Sequence, residues 1–146
     1  MALTAEQIEL IVGHAPPLAA ATTYYHWTAD QLFFEKVTGE RGMGTRTQFL
    51  ANYMEGGMSQ TRQGGPGLYV CTNQQDSASY GHLLIEARAT AGVKLLDVAG
   101  GMPQVFKNKG FSLQDILTST DLPLLIKYRT TFIAIKTHKG IGYNPG

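Results

Sequence analysis

The chain has 146 residues, 43% of them hydrophobic and 16% charged, which fits a single domain and argues against intrinsic disorder. Twelve Lys and Arg against eleven Asp and Glu leave a formal net charge of +1, which weighs against nucleic acid as a partner. One cysteine, Cys71, excludes an intrachain disulfide and any Cys₄ or Cys₂His₂ zinc site, and no run approaches the roughly eighteen apolar residues of a membrane span.

The N-terminus lacks the basic and apolar regions of a secretory signal. The expected location is therefore cytoplasmic, or the cytoplasm of a target cell reached by secretion without such a signal. Thr4-Ala-Glu-Gln7 reads as a capping box opening a helix that carries Ile8, Ile11 and Val12 on one face and stops at Gly13. Pro16-Pro17 begins an extended linker, so 1–21 reads as an N-terminal helix and linker. The motif-bearing core runs over 22–137 of one domain, 1–146.

Thr22–Trp27 is β-branched and aromatic, hence a strand. A second capping box, Thr28-Ala-Asp-Gln31, ends it and opens a helix to about Thr38. A short helix is expected over Gln48–Glu55 and a loop over Gly57–Gly65. Seventeen glycines, about 12% of the chain against a usual 7% or so, cluster around these segments without a fixed period, as in long shaped loops.

Leu68–Thr72 reads as a strand, Ser77–Leu83 as a helix, and Leu84–Ala89 and Val93–Val98 as two strands or one bent one. Ser112 and Asp121 are candidate N-caps for helices near 113–119 and 122–128, with Pro123 in the first turn of the latter. Thr130–Thr137 is expected to be the final strand, with the tail from Gly140 a turn toward a strand that is not completed. The class is α+β, with short strands, short helices and long glycine-rich loops. No Gly-x-Gly-x-x-Gly fingerprint opens a helix, which argues against a Rossmann cofactor site.

The four histidines, His14, His26, His82 and His138, form no H-x-H or H-x-x-x-H pair, so no metal site is expected. Cys71 inside a strand reads as a small hydrophobe rather than a nucleophile. Neither a Gly-x-Ser-x-Gly elbow nor a phosphate-binding P-loop is present.

Three segments remain: Tyr25-His26-Trp27-Thr28 at a strand end, Gly67-Leu68-Tyr69 entering a strand, and Ser77-Ala-Ser-Tyr80 opening a helix. Each alone has an ordinary structural reading: a half-buried strand tyrosine, a satisfied strand-end histidine, and an N-cap serine. Together they offer two aromatic faces, hydroxyls and an imidazole, which suit a flat polar heteroaromatic ligand.

In order and spacing these residues resemble the ADP-ribosyltransferase superfamily, in its diphtheria-toxin/PARP-like His-Tyr-Glu branch. His26-Trp27-Thr28 matches the His-x-[Ser/Thr] strand, Gly67-Leu68-Tyr69 the Gly-[Ile/Leu]-Tyr strand, and Ser77-Ala-Ser-Tyr80 the Ser-x-x-Tyr helix. Tyr80 follows Tyr69 by eleven residues, a separation found in the family. The resemblance spans about 24–136. It implies a split, mixed or antiparallel sheet flanked by short helices, with NAD⁺ as co-substrate and no metal.

Carried over, the Trp27 backbone and the Ser77 hydroxyl would hold the carboxamide, and Tyr69 and Tyr80 would sandwich the nicotinamide. His26 would bond a ribose hydroxyl with support from Thr28, and Gly67 would open the tyrosine strand. The implied activity is mono-ADP-ribosyl transfer from NAD⁺ to a macromolecular acceptor, a protein first, as in small bacterial toxin or effector domains. The family's acid is expected just after the last strand, where this chain reads Lys136-Thr-His-Lys-Gly-Ile-Gly-Tyr-Asn-Pro-Gly146, without a carboxylate.

Ile141 or Tyr143 could stand in that place, or an acid such as Glu40 or Glu55 could come from the glycine loops. The alternative is a degenerate binding module that keeps the fold and a nicotinamide pocket for NAD⁺ and acts on a protein partner through the loop 39–67, which holds Arg41, Arg46 and Arg62. An RNA 2′-phosphate transferase of the same superfamily should be more basic than +1.

Overall fold

The computed structural model describes residues 3–39, 67–119, 122–137 and 139–143. Its first element, α1 (Ala5–Gly13), is opened by the expected capping box: the Thr4 hydroxyl accepts from the Gln7 amide, and the Gln7 side chain accepts from the Thr4 amide. Ile11 is fully buried under it. The linker after α1 lies along the sheet margin, where Pro17 bridges Lys94 and the Leu18 amide bonds the Val93 carbonyl. Lys94 Nζ donates to the Val12 carbonyl at 3.1 Å, joining the Ala15 amide on an acceptor at the end of α1.

The described residues form a mixed α+β fold around one seven-stranded sheet. The strands are β1 (Thr22–Thr28), β2 (Leu68–Cys71), β3 (Leu83–Ala89), β4 (Leu95–Asp97), β5 (Leu125–Lys127), β6 (Phe132–Ile135) and β7 (Ile141–Tyr143). Their order is β4-β5-β6-β2-β1-β3-β7. The β4–β5 pair is parallel and the remaining described pairs are antiparallel. A parallel pair needs a long crossover, supplied here by two short helices, α3 (Gln104–Asn108) and α4 (Leu113–Thr118). Helix α2 (Gln31–Thr38) links β1 to the glycine-rich segment.

Successive strand residues face opposite sides of the sheet, so the register assigns each side chain a face. On the first face, Tyr24, Leu68, Val70, Ile85, Ile133, Ile135 and Leu125 meet Phe34 and Val37 of α2. On the second face, Leu96 and Ile126 of β4 and β5 meet Ile11, Phe106, Ile116 and Leu117 from α1, α3 and α4. β5 is thus buried from both sides.

That double burial explains one failed expectation. The 122–128 segment is not a helix. Leu122, Leu124, Leu125 and Ile126 are all fully buried, and β5 occupies the middle of the run. A short continuous apolar run fits an interior strand as well as a helix, and pairing on both edges decides for the strand. Its expected cap, Asp121, lies outside the described residues.

The 77–83 segment likewise holds only a single 3₁₀ turn, Ala78–Tyr80, because β3 begins at Leu83 to pair with all seven residues of β1. The Thr28–Gln31 box does not form. Thr28 stays in β1, and Asp30 is the N-cap, its carboxylate accepting from the Phe33 amide at 3.1 Å. Ser112 does cap α4 as expected, in a reciprocal box with Asp115. α3 was not anticipated, and β6 is not the last described strand, since β7 pairs with β3. The helix expected over Gln48–Glu55, the following loop, Glu40, Glu55, Arg41, Arg46, Arg62 and His138 lie outside the described residues.

Candidate functional site

β1 and β3 pair along their whole length, but β1 and β2 are in register at one position, Tyr25 opposite Cys71. Beyond it the two strands part. The His26 ring, packed edge-on against Phe33 at 5.4 Å, reaches across the gap and places Nδ1 2.5 Å from the Tyr69 carbonyl. A carbonyl only accepts, so Nδ1 carries the proton in this contact. A side chain thus makes the bridge where the backbone ladder stops.

Where the strands part, a cavity of about 490 Å³ opens. By register Trp27, Tyr69, Cys71 and Phe132 point to the second face of the sheet, and all four line it. His26 and Thr28 close it at the end of β1, and Ser77 and Tyr80 at the 3₁₀ turn. Tyr128, Arg129 and Phe132 form the remaining wall, where the Tyr128 and Arg129 amides bond the Phe132 carbonyl and turn β5 into β6.

Several local features hold these groups in place. The Trp27 indole N–H donates to the Gln74 carbonyl at 2.6 Å, tying β1 to the loop after β2. The Thr28 hydroxyl accepts from the Asp30 amide at 3.0 Å, which starts the turn into α2. A Cβ on Gly81 would lie 2.1 Å from the Thr28 carbonyl carbon and 2.2 Å from the Ala29 nitrogen. Only glycine lets the chain after Tyr80 press against the end of β1 that closely. Gly67, at φ +156°, sits under the Ile135 carbonyl and starts β2.

Ser77 occupies the N-cap position of its turn but makes no capping bond; its hydroxyl is buried against the Cys71 thiol instead. Burial pushes the Cys71 thiol up, the Ser77 hydrogen bond opposes this, and the Asp76 charge adds to it. The thiol therefore stays protonated at neutral pH, as a buried partner for Ser77 rather than a nucleophile. Tyr69 meets Tyr128 edge-on at 5.9 Å, and Tyr128 stacks with Phe132. Tyr80 is 65% exposed and presents an open face at the rim.

Of the residues singled out from sequence, His26, Trp27, Thr28, Tyr69, Ser77 and Tyr80 line one cavity. Gly67 supports β2 without lining it. Ile141 and Tyr143 lie on β7, beyond β3, and by register project to the first face, where Ile141 is buried in the core. Neither lines the cavity. Sequence reasoning missed Tyr128, Arg129 and Phe132 as wall residues: a helix over 122–128 hid the β5–β6 turn, and Phe132, on a strand as expected, reaches the cavity only through its pairing with Cys71.

Among the described lining residues the one formal charge is Arg129, and no carboxylate is present. No group of three or more His, Cys, Asp or Glu side chains converges among the described residues, and no described helix is long and apolar enough to cross a membrane. Compared with protein-family models, curated proteins and solved structures, the chain matches none.

Proposed function

We propose that the cavity binds NAD⁺ and that the protein is a mono-ADP-ribosyltransferase of the ADP-ribosyltransferase fold, acting on a protein acceptor. The observation that carries this reading is the convergence of His26, Trp27, Thr28, Tyr69, Ser77 and Tyr80, from three separated segments, on one cavity where β1 and β2 part. Tyrosine faces suit a cationic pyridinium ring, a contribution of about 0.5–2 kcal/mol. The Ser77 hydroxyl and the Trp27 backbone offer partners to its carboxamide, and the His26 imidazole offers one to a ribose hydroxyl.

In this reading the bond between ribose C1′ and nicotinamide breaks, nicotinamide leaves with the bonding electrons, and the acceptor's nucleophile bonds to C1′ and loses its proton. Fixed dipoles around the cation-like ribose lower the barrier. The test is nicotinamide release and transfer of label from NAD⁺ in cell lysate, beside His26→Ala and Tyr69→Ala proteins shown to be folded. Label transferred by wild type alone supports the transferase; release without transfer reduces it to an NAD⁺ glycohydrolase.

One observation favours a second reading. The family's acid has no counterpart among the described lining residues, and the charged group there is Arg129. A catalytically degenerate module that binds NAD⁺ without consuming it would shift its melting temperature with NAD⁺ and release no nicotinamide. No shift and no release would remove both readings.

A further inference from the structure

The wall between β5 and β6 carries the cavity's charge. Arg129 is exposed there, next to Tyr128, and its guanidinium makes no hydrogen bond or ion pair among the described residues. Its amide bonds the Phe132 carbonyl at 3.4 Å, so the turn's backbone rather than the side chain fixes its position. The other walls offer aromatic faces, an imidazole and hydroxyls. A cavity of that composition takes an aromatic ligand bearing negative charge, and a guanidinium fork matches phosphate oxygens in pairs.

We propose that Arg129 is the phosphate-binding residue of this cavity and holds the diphosphate of the dinucleotide. That the ligand is NAD⁺ rests on the function proposed above; the preference for an anion rests on Arg129 and the absence of a described carboxylate beside it. Because the side chain is exposed and makes no bond among the described residues, replacing it leaves the fold intact, which the melting temperature checks. A charge at a cavity mouth also makes ligand affinity fall with added salt.

The experiment titrates wild type, Arg129→Gln and Arg129→Lys with NAD⁺, with ADP-ribose and with nicotinamide riboside, which has the ring and ribose but no phosphate. The expected result is a loss of roughly 10–100-fold for NAD⁺ and ADP-ribose in Arg129→Gln. Arg129→Lys should keep part of that affinity, and nicotinamide riboside should change less than about twofold. Unchanged NAD⁺ affinity, or an equal loss for nicotinamide riboside, overturns the assignment. If wild type binds ADP-ribose through Arg129 but neither nicotinamide ligand, the nicotinamide reading falls and the phosphate assignment stands. If ADP-ribose does not bind wild type either, both fall.

Discussion

The second face of the sheet is built in two ways. Over β4 and β5 it presents Leu96 and Ile126, and α1, α3 and α4 cover them with Ile11, Phe106, Ile116 and Leu117. Over β6, β2 and β1 it presents Phe132, Tyr69, Cys71 and Trp27, and among the described residues a cavity stands there instead of a helix. The difference lies in side-chain chemistry. Aliphatic groups gain only by leaving water, whereas Tyr and Trp have a polar end that needs a partner. Among the described residues, a single sheet thus carries a sealed half and a half with a cavity.

The sharpest way to break this comparison is a matched pair of truncations. Phe106→Ala, in the sealed half, should cost about 3–5 kcal/mol in urea unfolding, and Phe132→Ala, at the cavity, no more than about half of that. Equal losses would mean that both halves are packed alike.

Next in size is Gly81→Ala. The added methyl meets backbone at 2.1 Å, so the rim must move, at about 1–3 kcal/mol, with ligand affinity falling alongside stability. Retained stability and affinity would show that the close approach to Thr28 has no role in shaping the site.

A smaller effect concerns pH. Lys136, on the chain just after β6, is buried with Nζ donating to the Leu117 carbonyl, and burial lowers its pKa from 10.5 to about 8. The folded protein therefore gives up this proton before the unfolded chain does. Stability should rise as pH climbs from about 8 toward 10.5, by up to roughly 1.4 kcal/mol per pH unit. Cys71 and Tyr24, both raised by burial, act in the opposite direction from about pH 9 and about pH 10 upward, so the window to examine is pH 8–9. Lys136→Met should abolish the rise there; an unchanged pH profile would remove Lys136 as its source. The smallest change is Ser112→Ala, which opens the α4 capping box for about 1 kcal/mol without touching the cavity.

The two halves also differed in how readable they were. The cavity half was legible because its residues carry distinctive chemistry: Tyr-His-Trp-Thr at a strand end and Ser-x-x-Tyr near glycine can be recognised without knowing their neighbours. Its missing wall was not legible. Tyr128 and Arg129 enter it only because β5 is a strand, and the apolar run from Leu122 to Ile126 has no period that separates a strand from a helix.

Long-range pairing settles such runs, and pairing is not written locally. Ser77 shows the same limit: an N-cap serine and a serine buried against a thiol look identical until β2 is in place. Ile141 and Tyr143 follow the last expected strand in sequence, but β7 carries them to the other face. The readings that hold, the Thr4 box, the Ser112 N-cap and β1, are those fixed by contacts within a few residues or by uniform composition.

The most direct test of the cavity half as a ligand site is an NAD⁺ titration followed by fluorescence of Trp27, the chain's single tryptophan, in wild type and Tyr80→Ala. Tyr80 is 65% exposed, so removing its ring should leave stability nearly unchanged and isolate its contact with ligand. The account predicts a saturable change in wild type and binding weakened by about 1–2 kcal/mol in Tyr80→Ala. A flat wild-type titration to millimolar NAD⁺, or equal affinity in the two proteins, would contradict it.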